Sequence, residues 1–118
     1  PRTPALADVK HARLKAINAD FEFAAAALTA GYPITETLTW PDQQREALAW
    51  QADSNAPTPY LDALAAARGI DRAAYIAKTV AKITLFKTAS AALVGKRQKL
   101  ADQIQAASDV SSVEAIQW

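Results

Sequence analysis

The chain has no cysteine and no methionine, only three glycines, a single histidine, and three each of tryptophan, tyrosine and phenylalanine among 118 residues. Without cysteine there is no disulfide framework, no thiolate metal site and no thiol nucleophile. So few glycines leave no Gly-rich loop to cradle a phosphate, and no serine sits in a nucleophile elbow. His11 lies among Lys10, Arg13 and Lys15 with no second ligand or base partner at a useful spacing, so it reads as a solvated position. Neither sign of charge dominates: 13 basic residues face 12 acidic ones, for a formal net of +1. That balance argues against a protein built chiefly to neutralise nucleic-acid phosphates. The longest uncharged run, 23–35, contains Gly31 and Pro33 and falls far short of a membrane span. No basic start followed by an apolar stretch marks a signal peptide, and the expected location is cytoplasmic. A start at Pro1 with no methionine anywhere fits either a removed initiator or an excised fragment.

What is abundant is alanine. Hydrophobic residues make up 51% of the chain, and about half of them are alanine, which buries little apolar area per residue. Alanine with Leu, Lys, Gln and Glu favours helix nearly everywhere. The apolar spacing of three and four residues predicts an all-α fold in one domain, 1–118, with four main helices and a short fifth. The first helix is predicted over 6–29, with Leu14, Ile17, Phe21 and Leu28 on one stripe, Asp8 in its first turn and Gly31 as its stop. The segment 32–38 reads as a connector, since Pro33 lacks an amide hydrogen.

A helical hairpin follows over 39–69. Thr39 with Pro41 and Asp42, then Thr58 with Pro59, repeat the same pattern of an N-cap followed by proline, and Gly69 ends the second arm. Asp71 is the expected cap of a long helix over 72–107, whose stripe is Ile76, Val80, Ile83, Phe86, Leu93, Leu100 and Ile104. Ser90 and Arg97 interrupt that stripe, which speaks against a long coiled coil. Ala89 to Ala92 with Gly95 form a small-residue patch where another helix could approach or the helix could bend. Ser111 and Glu114 predict a capping box opening a short helix over 112–118.

The carboxylates are scattered, and several, notably Asp8, Asp42 and Asp71, are explained by helix starts. No catalytic, cofactor-binding or metal-ligating set emerges, and the expectation is a non-enzymatic protein. Trp40, Trp50, Tyr60, Tyr75 and Trp118 serve either as anchors between helices or as partner hot spots. For Trp40 and Trp50 the core reading is favoured.

The order INADF, TAGYPITETLTWPDQQREALAW, APTPYLDALAAARGI, AKITLFKTASAALVGKRQKLADQI and SVEAIQW resembles a helical domain of phage tail-associated proteins. That domain is similar to the C-terminal part of small proteins encoded beside tail-fibre genes, of the tail-fibre assembly or tail protein type. The resemblance runs from about Ala16 to Trp118, and its most specific pieces are 56–69 and 95–98. It implies no catalytic residue. It implies a virion-related protein binding a tail-fibre or baseplate protein, as a chaperone-like assembly factor in the bacterial host cytoplasm or as a subunit kept in the virion tail. Relatives often carry a further N-terminal segment, so this chain is a short member, a virion protein in its own right or a fragment. Candidate partner-binding residues are Leu93 in the small-residue patch and Val113, Ile116 and Trp118 in the C-terminal turn. The turn is preferred, because an isolated helix of that length must pack on its own domain or on a second chain. A homo-oligomer stays open. The alternative is a nucleic-acid-binding regulator using Lys82, Lys87, Lys96, Arg97 and Lys99, although the low net charge disfavours it.

Overall fold

The computed structural model describes residues 4–118, and among them there is helix and no strand. Six helical segments follow one another: α1 Leu6–Ala26, α2 Ile34–Thr37, α3 Trp40–Ala52, α4 Pro59–Arg68, α5 Arg72–Ala106 and α6 Val110–Glu114. The all-α prediction holds, including the long C-terminal helix. The chain parts into two compact units, one formed by 1–30 with 89–118 and the other by 31–88. Residues of α5 up to Thr88 pack in the second unit and those from Ala89 in the first.

In the 31–88 unit, Ala47, Leu61 and Ile76 are fully buried, and Trp50, Leu64, Tyr75, Val80 and Ile83 close around them. In the unit of the two termini, Ile17, Ile104 and Val113 form the core, packed by Leu6, Val9, Leu14, Leu100, Ala107, Ile116 and Trp118. The predicted stripe on α5 is therefore divided. Ile76, Val80 and Ile83 serve one core, Leu100 and Ile104 the other, and the interruption at Ser90 falls where the units divide.

Several helix ends differ from expectation. α1 stops at Ala26 rather than 29, because the next amides tighten: Leu28 donates to the Ala25 carbonyl at 3.0 Å and Thr29 to that of Ala26 at 3.2 Å. Gly31 is not a left-handed stop, since Gly69 is the one described glycine with positive φ, at 77°. At Gly69 the expected stop is realised in full. Its amide reaches the Ala66 carbonyl, and that of Ile70 reaches Ala65 at 3.1 Å, the paired bonds of a Schellman ending. The segment taken as a connector holds the single turn α2. Thr39 consequently has helical backbone and does not cap α3 with its side chain; its hydroxyl donates to the Glu36 carbonyl at 2.7 Å. Asp42 pairs with Arg45 at 3.2 Å on the exposed side of α3.

Thr58 does not cap α4 either. Its buried hydroxyl donates to Asp62 Oδ1 at 2.8 Å and accepts from Arg72 Nη2 at 2.7 Å, and Arg72 Nε also donates to Asp62. The cap comes from another helix. Glu46 of α3, only 7% exposed, accepts from the backbone amides of Tyr60 at 3.1 Å and Leu61 at 3.0 Å through its two oxygens. A carboxylate at a helix N-terminus satisfies donors that have no intrahelical partner and lies at the favourable end of the dipole. It also locks α3 to α4. Asp71 caps α5 as expected, accepting from Ala74 N at 3.0 Å. At the C-terminal turn the cap is Asp109, which accepts from Ser112 N at 2.7 Å. A charged acceptor two residues upstream thus displaces the predicted Ser111–Glu114 box, and α6 begins at Val110 instead of 112.

Two predictions follow from these polar locks. Glu46→Ala removes the acceptor of the buried Leu61 amide and of the half-buried Tyr60 amide and should lower stability by roughly 2–4 kcal/mol, read from urea unfolding. The pH dependence has a fixed sign. The Thr58 hydroxyl and then the Arg72 guanidinium hold the Asp62 carboxyl below its ordinary value of 3.8; the Ser112 amide, then its hydroxyl, do the same for Asp109. Depressed folded-state values mean that the stabilisation is complete well above 3.8, and is lost as pH falls through the folded values. Acid titration of unfolding should show this loss below pH 3.8, reduced in Asp62→Asn.

Candidate functional site

The residues proposed for partner binding divide by burial. Val113 is fully buried between Ile17 and Ile104, so it belongs to the chain's own core. Ile116 and Trp118 pack against the same cluster and are half-buried. After α6 the Ile116 amide donates to the Val113 carbonyl at 3.1 Å, a tight turn that ends the helix at Glu114. Trp118 then meets Phe21 edge-on, with ring centroids 6.3 Å apart, and carries Lys96 Nζ 4.2 Å from its ring centroid. The C-terminal turn packs on its own domain, one of the two outcomes foreseen for it. Leu93 is half-buried. Around Gly95 there is open space, and α5 runs through that position without a break.

The basic residues of α5 do not gather into a free stripe. Arg97 donates to Asn18 at 3.1 Å and Lys96 is committed to Trp118, while Lys82 and Lys99 are exposed. Lys10 ties α1 to the end of α5, donating to the Gln105 carbonyl at 2.8 Å. His11 is exposed. Asn18, Phe21, Glu22 and Arg97 line an open notch of about 240 Å³. Its one cation and one carboxylate supply neither a nucleophile nor a base–orienter pair. Burial pushes the Tyr75 hydroxyl above its ordinary value of 10.0, with Arg68 opposing and Glu36 and Tyr60 adding to the rise. Tyr75 therefore stays a neutral phenol at ordinary pH. Among the described residues no group of His, Cys, Asp or Glu is placed to hold a metal ion, and no helix is long and apolar enough to cross a membrane.

Apolar side chains left in solvent are the more informative feature. In the 31–88 unit Ile34 is 79% exposed and Leu38 72%, with Tyr32 at 40%. These lie in the segment read as a connector. Ile34 and Leu38 stand four residues apart, on one side of the single turn α2. The turn is firmly built. The Thr37 amide donates to the Pro33 carbonyl at 3.2 Å, that of Leu38 to Ile34 at 3.1 Å, and the Thr37 hydroxyl to Ile34 at 2.6 Å. Behind it, Trp40 meets Tyr32 at 5.1 Å and Phe86 at 5.6 Å, both edge-on. Trp40 is thus an anchor between elements, and Trp50 packs on the Ala47–Leu61–Ile76 core. Leu85 on α5 and, in the other unit, Phe23 on α1 are also largely exposed. The i, i+4 pair after Pro33 was the sequence signal for this surface, outweighed by the proline's reading as a break.

Comparison with known proteins adds one likeness. A family model described as the HI1402 helical domain matches residues 81–118, the stretch running from within α5 through α6 to Trp118. No curated protein and no solved structure matches the chain.

Removing residues 112–118 takes away Val113, Ile116 and Trp118 together. The truncated chain should lose the cooperative unfolding of the unit built from α1, the end of α5 and α6, with a lower helical signal in circular dichroism. A truncated chain as helical and as stable as the full one would show that the turn is no part of that core.

Proposed function

We propose that the chain is a non-enzymatic phage tail protein, an assembly factor of the chaperone-like type that binds a tail-fibre or baseplate protein in the bacterial host cytoplasm. The observation that supports a binding role is the pair of large apolar side chains, Ile34 and Leu38, standing in solvent on one turn of the 31–88 unit while the core of that unit is closed. Exposed apolar side chains that neighbour one another, as this i, i+4 pair does, mark an interaction site more often than singly scattered ones. The choice of a tail protein as partner rests on the resemblance proposed from the sequence, from about Ala16 to Trp118, whose most specific pieces are 56–69 and 95–98.

Co-expression with the product of the neighbouring tail-fibre gene should yield a complex on affinity purification, and mass spectrometry of purified virions should find the chain absent. Stoichiometric presence in the virion would make it a structural subunit. Failure to associate with the fibre protein would overturn the reading.

A further inference from the structure

The order of the two units along the chain makes one depend on the other. Segments 1–30 and 89–118 build the terminal unit, and 31–88, which builds the other, is inserted between them. In the terminal unit the pairings of Ile17 with Ile104 and Val113, of Lys10 with Gln105 and of Asn18 with Arg97 each span the whole of 31–88. Bringing such distant segments together costs chain entropy that grows with the length of mobile chain between them. The core of 31–88 has no such need. Ala47, Leu61 and Ile76, the side chains packed around them and the ties from Glu46 and Arg72 all come from within it.

The two ends of 31–88 meet on one side chain. Tyr32, next to Gly31, and Phe86, two residues before Thr88, both stand edge-on to Trp40, with ring centroids 5.1 and 5.6 Å away. Trp40 is half-buried and belongs to neither buried cluster, so its ring is not what closes the Ala47–Leu61–Ile76 core. Tyr32 leads back along the chain into α1, and Phe86 lies on α5, which continues unbroken to Ala106. A contact that holds these two ends replaces a mobile connection by a fixed one before α1 packs on the end of α5. We infer that Trp40 is a clasp. By joining Tyr32 to Phe86 it presets the terminal unit, which opens without loss of the 31–88 core but loses stability when the clasp is broken.

Hydrogen exchange of the full chain, read segment by segment by mass spectrometry, tests the clasp in Tyr32→Ala, Phe86→Ala and Val113→Ala, with circular dichroism on each. Alanine at position 86 keeps a good helix former in α5. Tyr32→Ala and Phe86→Ala each remove one ring from Trp40. Each should speed exchange in α1 and in residues 97–106 by roughly three- to ten-fold, the scale of one lost aromatic pair. The segments carrying Ala47, Leu61 and Ile76 should exchange as in the unchanged chain. Val113→Ala should speed exchange in the terminal unit alone. No partner is involved, so the result is independent of the tail reading. If the Tyr32 and Phe86 variants act only within 31–88, or nowhere, the rings are local packing and the clasp is wrong. Acceleration that reaches the Leu61 segment in any of the three variants would make the chain one cooperative whole, and that too overturns the proposal.

Discussion

Scarcity of large apolar side chains is the constraint under which this molecule is built. Alanine-rich helices offer little area to bury, so each unit closes on three fully or nearly fully buried residues: Ile17, Ile104 and Val113 in one, Ala47, Leu61 and Ile76 in the other. With cores that small, the surrounding half-buried ring of Trp50, Tyr75, Ile83, Leu100 and Trp118 contributes much of the remaining burial. Stability then becomes sensitive to elements that look peripheral. The five-residue α6 is such an element, since it delivers Val113.

Polar contacts supplement those cores at the helix joints. Glu46 reaches from α3 to the first amides of α4, and Arg72 at the start of α5 reaches back to Thr58 and Asp62. Together they tie three successive helices at one corner. The same logic operates at the chain's end, where Lys96 covers the Trp118 face and Phe21 meets it edge-on. A cation held over an indole keeps its charge toward water while its methylenes shield the ring.

Against this economy, leaving Ile34 and Leu38 in solvent is a notable use of scarce aliphatic residues. Neither is needed by the core of its own unit. Both stand on a turn held by the hydrogen bonds of the Thr37 and Leu38 amides to the Pro33 and Ile34 carbonyls.

The helical class, the proline-opened α4, the Gly69 stop and the Asp71 cap were legible in the residues, because each depends on a few neighbours along the chain. The interruption of the α5 stripe at Ser90 was legible too, although not that it separates two cores. Tertiary structure alone decided which acceptor caps α4. Glu46 lies more than ten residues upstream, and its buried carboxylate displaced the local Thr58 from that role. It likewise decided the fate of Val113, Ile116 and Trp118, whose apolar spacing is the same whether the groove that takes them belongs to their own chain or to another. Local sequence determines where a helix begins and which of its faces is apolar. What that face meets is set by segments far away along the chain, since burial depends on proximity in space.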